Sequence, residues 1–236
     1  MLHGRERDLV DLSFSIPSVC AERVEEGVID VGLVPVAEIA RQNLEIVPGV
    51  GITCLGAVRS ILLFSRVPWP SVRTLAADAS SRTSVQLARV ILRERFGVEP
   101  DITSQVPVLN EMLSNADAAL VIGDPALRLR PEELPYECLD LGAEWLALTG
   151  LPMVFAAWAG KPGIALNALE RITTGSYQFG KDRIDDIVEQ EHAARGVNAE
   201  LAERYLRHHI RFELGINERK GLEAFLELAD IAQSVV

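Results

Sequence analysis

The chain has 236 residues, enough for one large domain or two small ones, and its 48% hydrophobic and 24% charged content is ordinary for a globular protein. With 34 acidic against 23 basic side chains the net charge is −11, a field that repels nucleic acid and anionic lipid. A small anionic ligand therefore needs a locally positive pocket.

In chain order, DLVDLSF (8–14) alternates apolar and polar residues as a strand does, and PSVCAERVEEGVID reads as a helix with Pro17 in its first turn and Gly27 near its end. VGLVPV is an apolar run of strand type that stops at about Pro35, where the helix AEIARQN begins. EIVPGVGITCLG and VRSILLFSRV follow as two β-rich runs broken by Gly and Pro. The middle has the plainest rhythm: strand TLAADA, a helix SRTSVQLARVILRERFG with Val85, Ala88, Ile91, Leu92 and Phe96 on one face, VEPDIT leading into a strand, a helix ending at Ala116, and strand AALVIGD. That order predicts a small parallel sheet with covered faces. After the loop LRPEELPYE come a helix, LGAEWLALTG, closed by Gly150, and the strand LPMVFAAWAG. From about Lys161 the apolar spacing is mostly near 3.6, which predicts helices that cover sheet faces rather than strands. No internal repeat or low-complexity tract occurs.

The stretch SSRTSV (80–85) places four hydroxyl side chains and Arg82 where a helix begins. Ser81 or Thr83 as a helix cap needs only one of those hydroxyls. An anion site uses the surplus, because the first-turn N–H groups, the helix dipole and Arg82 all favour a carboxylate or phosphate there. Ser60, beside Arg59, opens an apolar run, as a polar residue at a strand end or as a group presented to a cleft; no histidine lies close enough in sequence to support a Ser-His nucleophile. Gly123 and Asp124 end the strand AALVIGD, either as a turn that caps the next helix or at the strand edge where open α/β folds place ligands. His192, His208 and His209 sit on polar helices, His3 near the start, and no HExxH, GxGxxG or GxxxxGK[ST] pattern occurs, so neither a metal nor a nucleotide cofactor has a motif behind it. Cys20, Cys54 and Cys138 are far apart with no CxxC or CxxH spacing, which argues against a disulfide framework or structural zinc and fits a reducing cytoplasm. No run approaches the roughly 18 apolar residues of a membrane span, and MLHGRERDLVDLSF has no signal-peptide pattern. The residues alone describe a cytoplasmic, two-lobed α/β protein that holds a small organic anion between strand ends and a helix N-terminus.

Five blocks in order, IDVGLVPVAEIAR, GAVRSILLFS, SSRTSVQLARVIL, ADAALVIGDPAL and LGAEWLALTGLPMVFAAW, resemble the chorismate dehydratases of the futalosine route to menaquinone, from about Asp8 to Trp158 and more weakly beyond. The resemblance implies the type II periplasmic-binding-protein-like fold, α/β with a ligand cleft between two lobes. One lobe would comprise residues 1–65 with 154–236 and the inserted lobe residues 66–153, with crossings near Ser65–Val67 and Leu151–Val154. It implies the loss of water from chorismate, a small dicarboxylate, to give 3-[(1-carboxyvinyl)oxy]benzoate with no cofactor. The roles implied are a catalytic Ser60 lining the pocket and substrate binding by Arg59, Ser81, Arg82, Thr83, Ser84, Gly123 and Asp124. Family members begin with a further strand and an aromatic-Leu-Asn turn that places an asparagine in the active site; the segment near Met1 does not contain it, so either the start is misassigned or trimmed, or the first lobe lacks that strand and that residue. The sister 1,4-dihydroxy-6-naphthoate synthases share the fold and several blocks, and a non-catalytic anion-binding module on the same fold is the other alternative.

Overall fold

A computed structural model of the chain describes residues 4–78 and 82–231. A 3-10 turn (Arg5–Leu9) precedes helix α1 (Pro17–Glu25), strand β1 (Val31–Pro35), helix α2 (Val36–Gln42) and strands β2 (Glu45–Cys54) and β3 (Ile61–Ser65). Next come β4 (Thr74–Ala77), α3 (Arg82–Phe96), β5 (Asp101–Ser104), α4 (Leu109–Asn115), β6 (Ala118–Ile122), α5 (Asp124–Arg128) and β7 (Glu137–Asp140). The chain continues through α6 (Leu141–Thr149), β8 (Met153–Gly160), α7 (Leu166–Lys181), α8 (Ile184–Glu191), α9 (Ala199–Arg204), a π-helical turn (Tyr205–His209), β9 (Arg211–Leu214) and α10 (Ile216–Leu228). The chemistry of the ends explains several of these bounds. Pro17 opens α1, where its missing N–H costs nothing. Asp140 caps α6 by accepting from the amides of Gly142 and Ala143, and Gly150 closes it at φ 72°, a left-handed conformation that glycine reaches without strain.

The fold is two-lobed, each lobe built on its own sheet. The first sheet runs β1-β8-β2-β9 and the second β5-β4-β6-β3-β7. All neighbours in the first are antiparallel, and β2 carries register shifts between Ile46 and Gly51 and again between Ile52 and Thr53. Pro48, which has no amide to give a ladder, falls inside the first shift. In the second sheet β4 lies parallel to β5 and β6. Those three strands form the parallel sheet that the strand-helix rhythm predicts, and β3, antiparallel to both β6 and β7, makes the complete sheet mixed. Its central strands alternate between two apolar layers. Ile61, Leu63, Leu75 and Leu120 face the large core, which continues under the first sheet through Val34, Val154 and Phe225. Leu62, Phe64, Ala76 and Val121 face a smaller one with Leu109 and Met112. Burial on both faces is why ILLFS and AALVI are continuous apolar runs.

Two expectations need correction. The alternating stretch 8–14 forms no strand: Arg5–Leu9 is a 3-10 turn and Leu9 and Phe14 are exposed, because alternation without a neighbouring strand leaves the backbone without a ladder. The C-terminal third is not all helix, since Arg211–Leu214 pairs with β2. Strand β3 hydrogen-bonds within the second sheet, so the chain first changes sheet between β2 and β3. The chain changes sheet a second time between α6 and β8.

Candidate functional site

Ser60 stands immediately before β3 and is 5% exposed. The register pairs Ile61 with Ile122, so Ser60 lies beside Gly123, whose amide donates to the Ser60 carbonyl at 2.8 Å. Gly123 (φ 66°, ψ −145°) turns the chain from β6 into α5, a backbone region open essentially to glycine alone. Asp124 begins α5 and pairs with Arg195 at 3.2 Å. Ahead of Ser60, the crossing segment is held by Asp140: its Oδ1 accepts from the Val58 amide at 2.9 Å and its Oδ2 from the Arg59 amide at 2.6 Å. One carboxylate thus ties α6, β7 and the crossing together. Gly142 is required there, because a Cβ would come within 2.5 Å of the Gly56 carbonyl.

The side chain of Arg59 goes elsewhere. Its guanidinium donates to the carbonyls of Ala126 and Leu129 at the C-terminal end of α5, where a cation is favoured by the helix dipole. It also lines a groove of about 620 Å³ between α5 and α9, together with Arg128, Arg130 and Arg204 and opposed by Glu132 and Glu200. Tyr205 comes the other way: its hydroxyl lies 3.1 Å from Ser60 Oγ. Burial pushes the Tyr205 phenol above its usual value, and the charge of Asp124 acts in the same direction. The same π-helical turn places His209 Nδ1 3.0 Å from the Ala57 carbonyl.

The start of α3 is reached from the same edge. Strand β4 runs parallel to β6, and the Asp78 amide donates to the Leu120 carbonyl, so the end of β4 lies level with the end of β6. Thr83 is fully buried and its Oγ1 accepts from the Ala37 amide at 3.2 Å, which satisfies a first-turn donor of α2 across the boundary between sheets. Ser84 is buried beside it, and Ser81 lies outside the described residues. Arg82 is half-exposed and donates to Glu38 Oε1 at 2.9 Å. Glu38 is 4% exposed, and its Oε2 accepts from Arg41 and Gln42. Arg41 in turn forks onto Glu25. The two arginines are thus matched by two glutamates, and Arg82 carries no surplus charge in this arrangement.

The structure therefore brings Ser60, Gly123 and Asp124 together, sets Thr83 and Ser84 at the same sheet edge, and turns the guanidiniums of Arg59 and Arg82 onto partners within the protein. Sequence reasoning missed Glu38, Asp140 and Tyr205. Glu38 had a signal, a lone acid in the apolar run VGLVPVAEIA; the other two are joined to the site only through pairings across 81 and 145 positions. Among the described residues no group of three or more His, Cys, Asp or Glu side chains is placed to hold a metal ion. No described helix is long and apolar enough to cross a membrane. Burial pushes the thiols of Cys54 and Cys138 up to about 12, with the charge of Asp140 adding to it, so neither is a ready nucleophile near neutral pH.

Comparison with known proteins places these features in context. A family model described as menaquinone biosynthesis matches residues 3–230. A chorismate dehydratase of Thermus thermophilus is 32% identical over 203 residues, 79% of this chain and 74% of that protein. Among solved structures, AF1704 of Archaeoglobus fulgidus superposes with a TM-score of 0.71 at 15% identity, covering 95% of this chain and 89% of its own. The periplasmic aliphatic sulphonate binding protein SsuA of Escherichia coli does so at 0.60 and 14%, covering 94% and 82%. At such identities the structural likeness speaks to the fold, which is that of the periplasmic binding proteins.

Proposed function

The chain belongs to the menaquinone biosynthesis family, and from that premise we infer that it is a chorismate dehydratase, a lyase that removes water from chorismate to give 3-[(1-carboxyvinyl)oxy]benzoate. The observation that carries this reading is the 32% identity to a chorismate dehydratase over most of both chains. In the reaction the C–H bond at ring carbon 3 and the C–O bond at carbon 4 break, one proton and one hydroxide leave as water, and the ring becomes aromatic. Aromatisation supplies the driving force, so the protein has chiefly to hold the dianion with both bonds poised to break. The sheet edge formed by buried Ser60, Thr83 and Ser84 with the more exposed Gly123 and Asp124 is suited to such holding, because its backbone is tied at Ser60 by Gly123 and at Arg59 by Asp140. On this reading Ser60 contacts the reacting ring, and the start of α3 takes one carboxylate, with Arg82 leaving Glu38 for the substrate. The reaction needs no cofactor, and the proton at carbon 3 goes to a carboxylate of the substrate itself. A cytoplasmic place of action is part of the proposal.

The test is chromatographic detection of 3-[(1-carboxyvinyl)oxy]benzoate after the purified chain is mixed with chorismate. Formation of that compound supports the reading. Turnover of the cyclic futalosine derivative instead would move the chain to the sister synthases, and tight binding of chorismate without product would make it a binding module.

A further inference from the structure

We propose that Tyr205 is a positioning residue for Ser60: its hydroxyl donates to Ser60 Oγ and so leaves the Ser60 hydrogen free to point at the substrate, an inference that rests on the function proposed above. A serine hydroxyl has one hydrogen and two acceptor sites. When Tyr205 supplies the hydrogen between the two oxygens, 3.1 Å apart, the hydrogen of Ser60 is left for a ligand oxygen. The main chain on either side of Ser60 is already fixed, by Asp140 at Arg59 and by Gly123 at Ser60, so the remaining freedom is rotation about the serine side chain. Tyr205 removes it.

The geometry of the tyrosine supports the role. Tyr205 opens a π-helical turn, a local widening that occurs often at functional sites, and that turn is docked on the crossing segment at both ends, through Tyr205 to Ser60 and through His209 to the Ala57 carbonyl. A tyrosine needed only for packing can satisfy its hydroxyl on any carbonyl; this one meets a serine buried at the sheet edge where β3 and β6 meet. Burial raises the phenol above its usual value, so it keeps its hydrogen through the neutral range and is able to donate it.

The experiment compares Tyr205→Phe, Ser60→Ala and the double variant of the full chain with wild type, reading kcat, KM for chorismate and melting temperature. A misplaced site group costs on the order of 100-fold, so Y205F should lose roughly 10- to 100-fold in kcat with KM changed by less than about threefold. The double variant should be no slower than S60A alone, because a residue that acts through another adds nothing once the other is gone. Tyr205→Lys, whose ammonium has a reach similar to that of the phenol oxygen and can only donate, should recover part of kcat and serves as the readout if the phenylalanine variant does not fold. An unchanged kcat in Y205F, losses that multiply in the double variant, or a lysine variant as slow as S60A would overturn the inference while the functional reading stands. A wild-type chain that makes no product from chorismate would overturn both.

Discussion

At the scale of single residues, Arg82 and Asp117 show what a charge is for. Arg82 is half-exposed and shares Glu38 with Arg41, so its removal leaves Glu38 still paired, and the stability cost should stay under about 1 kcal/mol. If it is released to a substrate carboxylate, Arg82→Ala should raise KM for chorismate by roughly tenfold or more, because a charge-assisted bond is worth about 1.5–3 kcal/mol. Steady-state kinetics beside a thermal melt checks this; an unchanged KM would assign Arg82 to Glu38 alone. Asp117 lies at the opposite end of β6. Its carboxylate accepts from the amides of Arg73 and Thr74 and from the Thr74 hydroxyl, and Arg66 pairs with it at 3.3 Å. These bonds, the Arg73 amide foremost, hold its carboxyl below the usual value. A carboxyl lowered by folding contributes stability that is complete above its unfolded value of about 3.9 and is lost as pH falls through the folded one. Asp117→Asn should therefore flatten the acid limb of a stability-pH curve below about pH 4 while leaving kcat near neutral pH unchanged. A variant whose acid limb matches wild type would refute it.

At the scale of elements, Asp140 is the point on which the crossing depends. It accepts from four amides, those of Val58, Arg59, Gly142 and Ala143, so it caps α6 and fixes the chain that delivers Ser60 to β3. Asp140→Ala loses a cap worth about 1 kcal/mol and strands two crossing amides at about 1 kcal/mol or more each. A total near 3 kcal/mol corresponds to a fall of roughly 6–12 °C in melting temperature for a chain of this size. Asp140→Asn, which keeps one acceptor oxygen, should lose about half as much; equal losses in both would mean that capping is not the source. The elements themselves were legible wherever local chemistry decides them. The stripe on α3, Gly150 after α6 and the unbroken apolar runs of β3 and β6 all carry their structure in a few adjacent residues. Strand β9 was not, although Ile210, Phe212 and Leu214 alternate, because four residues inside a polar helical stretch acquire a ladder only when β2 is beside them. The stretch 8–14 failed in the opposite sense, alternation without a partner.

At the scale of the molecule, the strand order places β8 between β1 and β2 and brings β9 back from the far end of the chain, so the first sheet is made of pairings that no local pattern encodes. The two-lobed fold was legible through the five blocks of family resemblance, and those blocks contain Ser60, Thr83 and Gly123 but not Tyr205, which is why the Ser60–Tyr205 bond emerges only in three dimensions. Charge acts at this scale too. The chain carries −11 and its proposed substrate is a dianion, so the long-range field opposes encounter. Near the start of α3, Arg41 and Arg82 are balanced by Glu25 and Glu38, and nothing in that cluster offsets the field until substrate arrives. The screening length shrinks from about 30 Å at 0.01 M salt to about 8 Å at 0.15 M, so salt removes the distant repulsion first and leaves short-range contacts in place. The expected outcome is a rise in kcat/KM for chorismate of roughly two- to fivefold over that range, carried by KM with kcat constant, in assays at fixed pH and with an uncharged osmolyte as control. A fall would mean that the arginine-lined groove between α5 and α9 steers the dianion in, and that local positive charge outweighs the net −11.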